Sequence, residues 1–128
     1  MKPEVKNWVE SACYDLETAV HMFNGGRYIY TIFMCHLAVE KILKAKIQEI
    51  SGKIPPKTHD LIYLLKLSKL EPDEAMKDFI GELSGVSIPT RYPDDFMEIQ
   101  RRFTTQIAQN YLERTKEALR WIQGFIKL

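Results

Sequence analysis

The chain has 128 residues, 45% of them apolar, and a formal net charge of +1. That length suits one domain, residues 1–128, able to bury about two-thirds of the unfolded chain's surface without staples, and the near-zero charge excludes a molecule that holds nucleic acid by bulk electrostatics. No apolar run nears the roughly 18 residues that a membrane span needs, and the opening MKPEVKNWVESACYDL lacks a signal-peptide core, so a cytoplasmic protein without membrane contact is expected.

The first helix is predicted from Pro3 to Phe23, with Trp8, Val9, Ala12, Leu16, Ala19, Val20 and Phe23 inward. Asn24, Gly25 and Gly26 stop it. So short a turn makes the next helix its antiparallel neighbour. That next helix, Tyr28 to Ile50, is the longest and carries a wide stripe of Tyr28, Ile32, Cys35, Val39, Ile42, Ile47 and Ile50, broadened by Ile29, Phe33 and Leu43. It is expected to be central. Ser51 and Gly52 end it, and Pro55 and Pro56 forbid continuation.

Thr58 is placed to cap a short helix through HDLIYLLKLSKL, with Leu61, Leu64 and Leu65 on one side. Pro72 fits the first turn of a further helix running to about Leu83, with Ala75, Met76, Phe79 and Ile80 inward, and Gly85, Ser87 and Pro89 end it. Thr90-Arg91-Tyr92-Pro93-Asp94-Asp95 reads as an extended connection. Asp95 and Glu98 have capping-box spacing for a helical turn. The main last helix follows from about Phe103, with Phe103, Ile107, Tyr111, Arg114, Ala118, Trp121 and Phe125 as its stripe. No strand signal is found. The predicted fold is all-α, an up-down antiparallel four-helix bundle with one extra short helix.

Both cysteines lie on apolar helical stripes. In a hairpin turning near Gly25 and Gly26, position 13 faces position 38, so Cys13 and Cys35 are offset by about 4.5 Å along the axis on top of an interhelical distance of roughly 8 to 10 Å. That is too far for a disulfide, and two reduced thiols are expected.

The chemistry-bearing residues fall into a few groups. His36 and Glu40, four apart on one helix, suit either a self-satisfying buried pair or a carboxylate orienting a functional imidazole. Asp15 lies level with His36 in the hairpin, and a hydrogen bond between them is expected to fix the ring and raise its pKa. Glu17 and His21 repeat the four-residue spacing, but their midpoint lies about 9 Å along the axis from that of His36 and Glu40, so one metal ion cannot bridge the pairs, and no metal or cofactor is expected.

His59 and Asp60 suit helix-start chemistry or, functionally, a pocket where His59 converges with Lys44 and the Arg91 loop. In that pocket Arg91 would hold a phosphate or a partner's carboxylate and Tyr92 would stack on a base. The alternative is that Arg91 pairs with Asp94 or Asp95 and Tyr92 packs the loop on the bundle. Lys41, Lys44 and Lys46 read as a solvated face unless Arg91 or Arg101 joins them. No phosphate loop or nucleophile elbow is present.

Four pieces in order resemble the HEPN domain family: Tyr14-Asp15-Leu16, then Cys35-His36-Leu37-Ala38-Val39-Glu40-Lys41-Ile42-Leu43-Lys44-Ala45, then Thr58-His59-Asp60-Leu61, then Thr90-Arg91-Tyr92-Pro93-Asp94. The resemblance implies a compact helical bundle, usually dimeric, often encoded beside a minimal nucleotidyltransferase in a toxin-antitoxin-like pair, and associated with nucleotide binding or RNA cleavage. It also implies a test. HEPN ribonucleases resemble one another in an Arg followed after four to six residues by His, whereas here Phe96, Met97 and Glu98 stand at that spacing after Arg91, and His59 is the last histidine.

The expectation is therefore a nucleotide- or RNA-associated binding module without the usual ribonuclease motif, a homodimer using Asp15, His36, Glu40, Lys44, His59, Arg91 and Tyr92. The alternative is an RNA-processing enzyme in which His36 or His59 is the general acid or base and Arg91 or Lys44 stabilises phosphate charge.

Overall fold

The computed structural model describes residues 1–91 and 94–127, the Arg91 side chain excepted. Among these residues there are six helices and no strand: α1 (Pro3–Asn24), α2 (Tyr28–Ser51), α3 (Leu61–Ser68), α4 (Glu74–Arg91), α5 (Phe96–Arg102) and α6 (Thr105–Gln123). The four long helices make the predicted bundle. Two short helices, α3 and α5, accompany them where one was expected.

α2 touches every other helix. Its composition explains why, since Ile32, Cys35, Ala38, Val39, Ile42, Leu43 and Ala45 are completely buried and lie all around the axis. A helix apolar on most sides belongs in the middle. The expected stripe fails at one end, where Ile50 keeps 44% of its surface exposed in the last turn before Gly52. Gly52 adopts φ +70°, the left-handed conformation that ends a helix and favours glycine, and its N–H closes on the Gln48 carbonyl.

Three boundaries differ from the sequence reading, each for a local reason. α3 is capped by Asp60, not Thr58: the Asp60 Oδ1 accepts from the N–H groups of Ile62 and Tyr63 at 3.1 Å, while Thr58 Oγ1 accepts from the Asp60 N–H. A carboxylate that reaches two orphan donors outcompetes a hydroxyl two residues earlier. α4 starts behind Asp73, whose Oδ1 accepts from Met76 N–H at 2.8 Å, so Pro72 lies outside its first turn.

α4 also runs through Gly85, Ser87 and Pro89 to Arg91. Pro89 sits in the last turn, where it forfeits a single backbone bond. Ser87 Oγ donates to Ser84 O at 2.8 Å, and Thr90 Oγ1 lies 2.9 Å from Val86 O and 3.0 Å from Ser87 O, so side chains hold the carbonyls around the proline. At α5 the capping spacing works as read: Asp95 Oδ1 accepts from Glu98 N–H at 3.2 Å. α6 opens behind Thr104 and buries Ala108, Leu112, Thr115, Ala118, Leu119 and Ile122. Its stripe is turned from the predicted one, leaving Ile107 and Phe125 exposed.

Cys13 and Cys35 are both free thiols. Burial pushes the Cys35 thiol up to about 12 against the opposing pull of Thr115 and Lys116, so it stays protonated and inert.

The chain end is tied to α2 through Glu49. Its Oε2 accepts from the Lys127 N–H at 2.7 Å and its Oε1 from Lys46 Nζ at 2.8 Å, while Lys46 also donates to Phe125 O. Burial pushes this carboxyl up, but the hydrogen bonds and charges of Lys46 and Lys127 together outweigh it and hold it below its ordinary 4.5. A folded-state value below the unfolded one gives stability that is present above the unfolded value and lost as pH falls through the folded one. Lowering the pH below about 4.5 is therefore expected to loosen residues 124–127 in the wild type first. Amide exchange there should show that step, and Glu49→Gln should show fast exchange already at neutral pH.

Candidate functional site

His36, Glu40 and Lys44 follow one another at steps of four on α2, which aligns them on one face over about 12 Å. The connection between α2 and α3, kept out of helix by Pro55 and Pro56, comes back across that face and sets His59 on it. Glu40 is the hub. Its Oε1 lies 2.8 Å from His59 Nδ1 and 3.7 Å from His36 Nδ1, and its Oε2 accepts from Lys44 Nζ at 3.1 Å. His36 Nε2 lies 3.0 Å from the His59 carbonyl, and the two rings are 6.5 Å apart.

The acceptors fix the protons. A carbonyl only accepts, so His36 Nε2 carries hydrogen, and an ionised carboxylate only accepts, so His59 Nδ1 does too. In a neutral His59 the lone pair then belongs to Nε2. His36 is completely buried, whereas the His59 side chain is 61% exposed. His36 fastens the His59 backbone to α2; His59 offers its second nitrogen to solvent. The arrangement is a carboxylate that orients an imidazole by Nδ1 and leaves Nε2 open to solvent, where the ring can take a proton and, once protonated, donate to an anion.

A second layer holds the hub in place. Trp8 on α1 donates from Nε1 to Gln48 Oε1 at 2.8 Å, and the Lys44 ammonium sits 5.7 Å from the Trp8 ring centre. Lys44 is thus gripped between a carboxylate and an aromatic face. Both Glu40 and Lys44 are buried, and their charges cancel.

The expected hydrogen bond between Asp15 and His36 does not form. The buried Asp15 carboxylate takes the Lys41 ammonium, 2.8 Å from its Oδ2, as an ion pair whose angle falls outside hydrogen-bond geometry. A lysine five residues beyond His36 supplies a full charge on a long arm, which a buried carboxylate prefers to a neutral ring. Four predicted site residues therefore meet, His36, Glu40, Lys44 and His59, with Asp15 in an adjoining pair. The Arg91 side chain and Tyr92 lie outside the described residues.

Trp8 and Gln48 were missed as site residues. Trp8 reads from sequence as plain core, and only Gln48, four beyond Lys44 on the polar face, carried a signal. Among the described residues no group of three or more His, Cys, Asp or Glu is placed to hold a metal ion. No helix among them is long and apolar enough to cross a membrane.

Comparison with known proteins bears on the fold and the family. The chain is similar to TT1696 from Thermus thermophilus, whose crystal structure superposes with a TM-score of 0.81 at 24% identity over 98% of this chain and 100% of that one. It is also similar to ST0689, an archaeal HEPN homologue, with a TM-score of 0.79 at 28% identity over 99% and 100%. No curated protein matches significantly. The model of the HEPN domain matches residues 5–125, from the first turn of α1 past the end of α6. By that match the chain belongs to the HEPN domain family.

Proposed function

We propose that this HEPN chain is a nucleotide- or RNA-binding module, working as a homodimer and as the partner of a minimal nucleotidyltransferase in a toxin-antitoxin-like pair, with His59 as the residue that meets the ligand. The observation that carries the reading is the buried Glu40 carboxylate, which holds the exposed His59 ring by Nδ1 and leaves Nε2 open, to donate to an anionic oxygen once that nitrogen carries a proton. The missing Arg-to-His spacing favours binding over cleavage. Self-association is supported by large apolar side chains at the corner between α4 and α5, where Ile88 and Met97 are more exposed than covered. Two such faces brought together would bury them.

A second reading has an observation of its own. A carboxylate bonded to one imidazole nitrogen while the other stays open is also the arrangement of a general base, so His59 would activate a ribose hydroxyl and the enzyme reading would hold. His36, sealed and bonded to the His59 carbonyl, positions in either case and touches no ligand.

One experiment separates them. Labelled single-stranded RNA is incubated with wild type, His59→Ala and His36→Ala, then run on native and denaturing gels, with light scattering reporting the mass in solution. Retarded, uncut RNA with about tenfold weaker binding by His59→Ala is expected. Cleavage lost in His59→Ala selects the enzyme, and RNA affinity unaffected by His59→Ala removes His59 from the site.

A further inference from the structure

The opposite end of α2 holds a second cleft, of about 390 Å³, between the turn from α1 and the joint of α5 with α6. Its nearest lining residue on α2, Tyr30, stands six residues, about 9 Å along the axis, from His36, and no described residue belongs to both this cleft and the His59 site. Its volume lies in the range of small-ligand pockets, roughly 300 to 1,000 Å³. Among the described residues its lining has one cation, Arg27, and no carboxylate.

The charge is left open by the way the chain folds here. Arg27 is exposed, and its guanidinium has no hydrogen bond, ion pair or ring contact among the described residues. On α5 the acids are kept away: Phe96 and Gln100, four apart, line the cleft, whereas Asp95 and Glu98 line a different depression beside Ile88 and Pro89. α2 also begins without a capping side chain or an acid in its first turn, so no side chain of its own competes for an anion at that end.

Flat apolar surface accompanies the charge. Tyr30 and Phe96 line the cleft with 52% and 51% of their surfaces exposed, high for aromatic rings on a folded chain. The frame beneath is rigid, because Thr105 Oγ1 donates to the Tyr28 hydroxyl at 2.8 Å, pinning the start of α6 to the start of α2, and the Phe23 ring packs 5.6 Å from Tyr28. Gln100 and the Thr104 hydroxyl add uncharged hydrogen-bonding groups.

From this juxtaposition we infer that the cleft is a binding site for a phosphate monoester carrying a planar heteroaromatic group, the phosphate on Arg27 and the ring against Tyr30 and Phe96. A guanidinium grips a phosphate by two parallel bonds, and an aromatic wall accepts any base by its face. Either a free mononucleotide or the 5′-terminal nucleotide of an RNA supplies that chemistry. The inference stands apart from the His59 reading and uses none of its residues.

The test is an amide NMR titration of the full chain with adenosine monophosphate, adenosine, and a short RNA carrying either a 5′-phosphate or a 5′-hydroxyl. Shifts confined to the amides of residues 26–30, 100, 104 and 105 are expected with a phosphorylated ligand, and much weaker ones with adenosine. Saturation by the mononucleotide points to the free ligand, and saturation by the 5′-phosphorylated RNA alone points to the strand end; both support the site. Arg27→Gln, at an exposed unpartnered position, should fold normally and weaken binding about tenfold or more, and Tyr30→Ala about fivefold. His59→Ala should leave this binding unchanged, which separates its fate from that of the other site. Absence of shifts in the cleft with every phosphorylated ligand, or equal affinity of Arg27→Gln and wild type, overturns the inference.

Discussion

Glu40→Ala is expected to cost about 3 to 5 kcal/mol of folding stability, the range for breaking a buried ion pair by removing one member. The Lys44 ammonium, buried 3.1 Å from Glu40 Oε2 with the Trp8 ring on another side, would remain inside without its countercharge. His59 would lose the 2.8 Å bond that orients it. The cost belongs to the stranded charge and not to the pair as such, so removing both members should be far milder. Glu40→Leu with Lys44→Met is accordingly expected to recover most of the loss, since well-packed apolar replacements of buried ion pairs are often neutral. Urea denaturation of the two variants decides it. If the double variant is as unstable as the single one, Glu40 acts through packing and not as an electrostatic hub.

The same residues show what a sequence can and cannot reveal about such a site. The run His36, Glu40, Lys44 is legible because helical spacing alone puts the three on one face. Their meeting with His59 is legible only in part, because the return of the 53–60 connection is set by Pro55 and Pro56 while its landing point is set by a side chain donating to the His59 carbonyl, which no pattern announces. The pairing of Asp15 failed for a related reason. Counting residues along a hairpin gives the level of each side chain but not the reach of a lysine, and Lys41 arrived from further along to take the carboxylate.

The long helices were legible where the apolar period is wide, as in α1 and α2. The end of α4 was not, since Gly85, Ser87 and Pro89 carry the residue types of a terminus while the buried Val86, Ser87 and Thr90 hold the turn in place by packing and hydroxyl bonds. Tertiary burial overrode local preference there.

Phe79→Ala is expected to lower stability by about 3 to 5 kcal/mol, the cost of emptying a phenylalanine site in a core. Phe79 is the largest of the fully buried side chains and stands on α4 facing α6, with the Tyr111 ring 6.0 Å away and the Arg114 guanidinium 4.8 Å from its ring centre. Arg114 also donates to the Ala75 carbonyl at 2.9 Å, so one α6 side chain both covers the α4 ring and binds the α4 backbone. Either contact could hold α4 against the bundle. Burial of the ring should dominate, because a partly exposed cation over an aromatic contributes only about 0.5 to 1 kcal/mol. Phe79→Leu, which keeps most of the volume, is expected to cost roughly 1.5 kcal/mol or less, and Arg114→Met less still. Thermal unfolding should therefore rank Phe79→Ala lowest, by roughly 10 °C or more. Should Arg114→Met fall as far as Phe79→Ala, the guanidinium clamp and not the buried ring would be what fixes α4, and with it the approach of Thr90 and Arg91 to the rest of the bundle.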